Sequence, residues 1–204
     1  KTSLVLALAC APKTVPPPET TMTHVPCTAS AGVQDTQLAA LLEEHWSAMM
    51  ERWPVWATQL GDHRFDDRLP DNTPDKWAAM RQGLPQWLDR IHAINADRLT
   101  PTDAMTLAVL ANQFESAQAT AVCKTEQWSV APVKNAFSTM NGLAIVHPVV
   151  TATDGDNLLA RYRAIPTYIQ GAIDNLRLGM AQGLVPNATS LRRTIEIIDA
   201  ELTR

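Results

Sequence analysis

The chain has 204 residues, 46% of them hydrophobic, and its six Trp and seven Met supply bulk for a packed core, which argues against disorder. A formal net charge of −4 at pH 7 argues against the basic face of a nucleic-acid binder, so no nucleic-acid partner is expected. No run of about twenty apolar residues occurs, so nothing reads as an ordinary transmembrane helix.

Taken in order, Lys1 precedes an apolar run from Leu4 to Ala9 that ends in small residues before Cys10. That is the charged, apolar, small-residue order of a secretory signal, so residues 1–9 read as a signal peptide truncated at its start. Ala7-Leu8-Ala9 before Cys10 also resembles a bacterial lipobox, which makes Cys10 the expected lipidation site. A plain secreted protein is the alternative. The location expected is the bacterial cell envelope on the periplasmic side, with the membrane reached only through a lipid anchor. Residues 10–33, with Pro16-Pro17-Pro18, have the composition of an extended tether. If Cys10 carries lipid, Cys27 and Cys123 remain. In an oxidising compartment they could close a disulfide; unpaired, Cys123 is expected to be a buried small hydrophobe.

Residues 34–204 read as one helical domain, incomplete at its C-terminus. Asp35 or Thr36 caps a first helix whose apolar stripe runs from Leu38 to Trp53. Pro54 opens a short helix with Trp56 and Leu60 pointing inward, and Gly61 stops it. Thr73-Pro74-Asp75 starts the next helix, in which Gly83 and Pro85 predict a kink or break near Gln82. Thr100-Pro101-Thr102-Asp103 opens another as a variant capping box. Two β-prone runs, Trp128–Pro132 and Ile145–Val150, each contain a Pro and read as ordered connections or a brief strand pair. Helical spacing resumes near Asp156, restarts at Pro166, runs to Gly183, and returns from Leu191 to Leu202. The expected class is all-α, an irregular antiparallel helical bundle.

Chemistry is scarce in this pattern. None of the five histidines falls at metal-ligand helical spacing, and phosphate-loop, dinucleotide and serine-hydrolase motifs are missing. What remains is the charged turn after Gly61: Asp62, His63, Arg64, Asp66, Asp67, Arg68 and Asp71. It reads as a solvated turn of carboxylates paired with arginines, as the lip of a cleft, or as a weak metal site without the spacing of a calcium loop.

Trp46, followed by Pro54-x-x-Ala57-Thr58-x-Leu60-Gly61-Asp62-His63-Arg64-x-Asp66-Asp67-Arg68-Leu69-x-Asp71, resembles the N-terminal signature of the exported bacterial family called domain of unknown function 885. Tyr162-Arg163-Ala164-Ile165-Pro166-x-Tyr168-Ile169 and Asn175-Leu176-Arg177-x-Gly179-x-x-x-Gly183-x-x-x-Pro186 resemble its next block. The resemblance implies the N-terminal part of a larger, mostly helical, zinc-dependent metallopeptidase-like fold. In that family the His-Glu-x-x-His ligands lie in a portion that no residue of this sequence matches. It further implies that this chain holds no catalytic residue and no metal, that zinc and a peptide substrate belong to the full-length protein, and that the C-terminal remainder of the polypeptide is a partner. Gly61, Asp62, His63, Arg64 and Asp66 are then the candidates for facing the cleft. The alternative is a self-contained helical envelope lipoprotein serving as a binding or interaction module.

Overall fold

The structure, a computed structural model, describes residues 28–133 and 135–203. The signal segment, Cys10, most of the tether and Cys27 of the suggested disulfide lie outside these residues. Among the described residues there are eight α-helices, joined by turns and short 3-10 segments, and no strand. The all-α class expected from periodicity is the class observed.

Local chemistry sets the first four helices. Asp35 caps α1 (Thr36–Arg52) by accepting from the Leu38 N–H at 2.8 Å. Pro54 stands at the first turn of α2 (Pro54–Gln59), and Gly61 follows it with φ +84°, a conformation that glycine adopts without Cβ strain. Thr73 caps α3 (Pro74–His92) and Thr100 caps α4 (Pro101–Thr120), each followed by a Pro that loses nothing there because its N–H would be unpaired. The capping box at Thr100 is only half formed. The buried Asp103 carboxylate does not return to Thr100 but accepts from the Gln34 and Asp35 N–H groups at 3.0 and 2.9 Å, tying the entry of α1 to the start of α4.

Leu38 and Leu41 of α1 meet Leu88 and Ile91 of α3 and Leu107, Leu110 and Phe114 of α4 in the main core. Each buried side chain of this size contributes about 1.5–3 kcal/mol. Early α1 residues thus pack on late α3 residues, and early α4 on late α3, so α3 runs antiparallel to both neighbours.

After α4 come α5 (Ala136–Asn141) and α6 (Leu143–Val146), then the 30-residue α7 (Ala152–Ala181) and α8 (Ala188–Leu202). The β-prone runs form no strand among the described residues; Asn135 and Ser138 instead make a reciprocal capping box that nucleates α5. Cys123 ends a 3-10 turn with its side chain exposed, not buried as a small hydrophobe.

Helix α7 is the spine beneath the loops. Arg161, Gly171, Asn175 and Gly179 are its buried positions, and at 100° per residue they fall within an arc of about 80°. Gly171 lets the backbone at Asn72 approach, since a Cβ there would lie 2.7 Å from the Asn72 carbonyl oxygen. The Asn175 amide donates to that same oxygen at 2.8 Å. A Cβ at Gly179 would overlap the Gln127 carbonyl.

Neither α3 nor α7 is broken at its proline: α3 runs through Pro85 and α7 through Pro166. Both prolines sit on exposed faces, where the carbonyl deprived of its N–H partner can turn to water. The inward expectation for Trp56 and Leu60 is corrected: they are 40% and 41% exposed, and α2 buries Pro54, Ala57 and Thr58 instead.

Candidate functional site

The charged turn is organised from below. Asp66 sits at the end of a 3-10 segment, His63–Phe65, whose start is capped by the Asp62 carboxylate on the Arg64 N–H. The Asp66 side chain is only 4% exposed. Its Oδ1 accepts from the Thr58 hydroxyl at 2.5 Å, and its Oδ2 lies 2.8 Å from His63 Nδ1.

Beneath them lies Arg161 of α7, which is fully buried. Its Nε donates to the Arg68 carbonyl at 2.9 Å and its Nη1 to His147 Nδ1 at 2.8 Å. Nη2 is shared among the Thr58 hydroxyl oxygen at 2.7 Å and the carbonyls of Pro54 and Phe65 at 3.0 and 3.2 Å. The nearest carboxylate oxygen, Asp66 Oδ1, is 3.8 Å from Nη2. Burial pulls the Arg161 guanidinium below its ordinary pKa, opposed by Asp66 and then Asp67. An arginine retains its charge through such a shift.

The His147 tautomer follows from its partners. Nδ1 receives a proton donor from Arg161, so Nε2 carries the hydrogen and donates to the Asp154 carbonyl at 2.9 Å. The Asp154 carboxylate in turn accepts from the Val150 and Thr151 N–H groups, which hold it below the usual carboxylate range. One guanidinium therefore joins α2, the signature turn, the end of α6 and the middle of α7.

The five residues expected at a cleft separate into two groups. Asp66 faces inward, buried against Thr58 and 3.8 Å from the Arg161 guanidinium. Gly61 supplies the left-handed turn. Asp62 and Arg64 form a two-pronged pair at the surface, with Nε–Oδ1 at 2.9 Å and Nη2–Oδ2 at 2.7 Å, and Arg64 also reaches the Ser47 hydroxyl at 3.2 Å. The His63 ring is 51% exposed, its orientation fixed by Asp66. Asp62, His63 and Arg64 thus form the outer layer of a turn whose inner layer is structural. Chemically, that outer layer offers an oriented imidazole and a surface ion pair.

The zinc implied by the family resemblance does not fit these residues. Among the described residues no three His, Cys, Asp or Glu side chains are arranged so that they could hold a metal ion. The acids of the turn are committed elsewhere: Asp66 to Thr58 and His63, Asp62 to Arg64, and Asp71 to the Thr73 N–H and hydroxyl.

Sequence reasoning missed Arg161 and His147. The available signal was positional: residue 161 falls three after Leu158 and four before Ile165, so an arginine occupies the apolar stripe of its helix. It also missed a groove of about 460 Å³ between α1, α3 and α4, lined by apolar residues together with His45, Glu51, Arg52 and Lys76. None of the five turn residues lines that groove.

Among the described residues no helix is long and apolar enough to cross a membrane. No curated protein matches the chain. A family described as bacterial protein of unknown function (DUF885) matches residues 54–204, from the first residue of α2 through the turn, Arg161 and the whole of α7 and α8; the chain belongs to that family.

Proposed function

We propose that residues 34–204 are the N-terminal helical wall of a larger exported, lipid-anchored, zinc-dependent peptidase-like protein. On this reading the metal and the peptide-bond chemistry reside in a part of the polypeptide outside this sequence. The wall presents Asp62, His63 and Arg64 toward the cleft, while Thr58, Asp66 and Arg161 hold them in place. Export and lipid attachment rest on Lys1–Cys10, the peptidase character on the family resemblance.

The observation that carries the reading is α8. Only Thr194 is buried on that helix, while Leu191, Ile195 and Leu202, which share one face, are 38%, 49% and 74% exposed. An apolar stripe of this kind on a soluble protein marks a surface that something covers. A further portion of the same polypeptide is the partner this reading supplies.

The test uses the complete product of the native gene and, beside it, the 204-residue chain. The complete protein is expected to carry stoichiometric zinc and to cleave unstructured peptides, and the shorter chain to do neither. Zinc bound stoichiometrically by the shorter chain, or a complete product that binds none, contradicts the proposal. The alternative, an envelope binding module, is favoured by the groove between α1, α3 and α4 and would persist without any hydrolysis.

A further inference from the structure

The three helices that close over the main core at one end open at the other. Leu38 and Leu41 of α1 are in the core, whereas Met49 and Arg52 farther along the same helix, and Trp53 just after it, line the groove. On α3 the order is reversed: Met80 and Leu84 line the groove, and Leu88 and Ile91 are core. At about 460 Å³ the opening has the size of a small-molecule site and the mixture such sites show, apolar walls with a few polar groups.

Arg52 is the unusual member. It is 8% exposed, and its guanidinium lies 4.3 Å from the Trp53 ring centre and 4.7 Å from that of Trp77. Nη1 donates to the Asp71 carbonyl at 2.8 Å, but Nη2 has no hydrogen-bond partner among the described residues although it is buried. Buried polar groups are nearly always paired, and an orphan charged donor is a place where a partner is due.

The surrounding charges select the sign of that partner. Lys76 lines the groove near Arg52, and the Asp71 carboxylate offsets one of the two positive charges. Glu51, the acid on the lining, has a side chain 65% exposed and turned toward Arg68, with Nη1–Oε1 at 3.9 Å. His45 meets the stacked rings of Trp87 and Phe114 edge-on, and burial holds its imidazole below the usual value, which favours the neutral ring. Arg52 and Lys76 are thus the cations at one end of an aromatic and methionine-lined trough, with Asp71 and the solvent-turned Glu51 as counter-charges.

We propose that this groove binds a small amphipathic monocarboxylate, with its apolar body along Trp53, Met80, Leu84 and Trp87 and its carboxylate toward Arg52 and Lys76. The inference does not depend on the peptidase reading, and neither zinc content nor hydrolysis reports on it. A medium-chain fatty acid and an apolar peptide C-terminus share this chemistry.

The test is a titration of the 204-residue chain with decanoate, followed by tryptophan emission, beside decanol, decylamine and N-acetyl-leucyl-phenylalanine. Decanoate or the peptide acid is expected to saturate the signal and to bind roughly tenfold to a hundredfold tighter than decanol or decylamine, the worth of a hydrogen bond to a charged group. Whichever acid binds tighter identifies the source. Gly83 lines the groove with nothing within 4 Å of a Cβ built on it, so Gly83→Met should fill the space, keep the fold and weaken binding by about tenfold or more. Arg52→Gln should erase the preference for acid over alcohol. Equal affinity for the acids, alcohol and amine, no saturable binding, or a folded Gly83→Met protein that binds like the parent would overturn the proposal.

Discussion

Removing a guanidinium from water costs several kcal/mol, and around Arg161 that cost is met by acceptors from three other segments of chain. Three of those acceptors are backbone carbonyls, so the side chain holds a path of backbone and does not simply neutralise an acid. Arg161→Met keeps the apolar stem but removes a donor from the Pro54, Phe65 and Arg68 carbonyls, the Thr58 hydroxyl and His147, and takes the positive charge away from the buried Asp66. We expect a loss of about 3–5 kcal/mol in urea unfolding. Thr58→Val, which removes a hydroxyl that donates to Asp66 and accepts from Arg161, should lose about 1–3 kcal/mol, and the double variant less than the sum of the two. A loss below about 1 kcal/mol for Arg161→Met would show that the clamp contributes little. At this scale the sequence was legible in part. Gly61 and the caps Asp35, Thr73 and Thr100 work over two or three residues and could be read directly. Asp66 could not, because what buries it is an arginine almost a hundred residues away, and residue type alone does not say which carboxylate of a charged turn points inward.

Among the elements, α7 makes the sharpest demands on its sequence. Its stripe of Gly171, Asn175 and Gly179 replaces apolar bulk with backbone contact, so an ordinary helix-favouring change should act with opposite signs along one helix. Gly155→Ala meets open space and is expected to stabilise by about 0.5–1 kcal/mol. Gly179→Ala forces a Cβ onto the Gln127 carbonyl and is expected to destabilise by about 1–3 kcal/mol, read from the same thermal or urea transitions. If the two variants moved together, the close approach of α7 to Gln127 would not be a feature of the folded protein. The prolines show why element boundaries were harder to read than element types. Pro85 and Pro166 are helix breakers by local rule, yet each lies on the exposed face of a helix whose other face is held by tertiary contacts. The run from Ile145 to Val150 shows the converse. Its β-branched residues favour strands, but no neighbouring strand exists among the described residues, and Ile145 and Val150 are 86% and 87% exposed.

For the molecule as a whole, the helical class and the antiparallel order followed from apolar spacing and capping, whereas the clamp, the glycine contacts and the groove depend on pairs far apart in sequence. No local pattern encodes such pairs. The resulting body is uneven: the signature turn is bolted to α7 through Arg161, while α8 buries little of itself. Hydrogen exchange of the intact chain, resolved by segment, tests this division most directly. The turn from residue 61 to 71 should share the opening free energy of α7, with α8 exchanging faster by about tenfold or more, and Arg161→Met should release the turn from α7. A turn that exchanges independently of α7 in the parent protein, or an α8 protected as strongly as α7, would contradict the account.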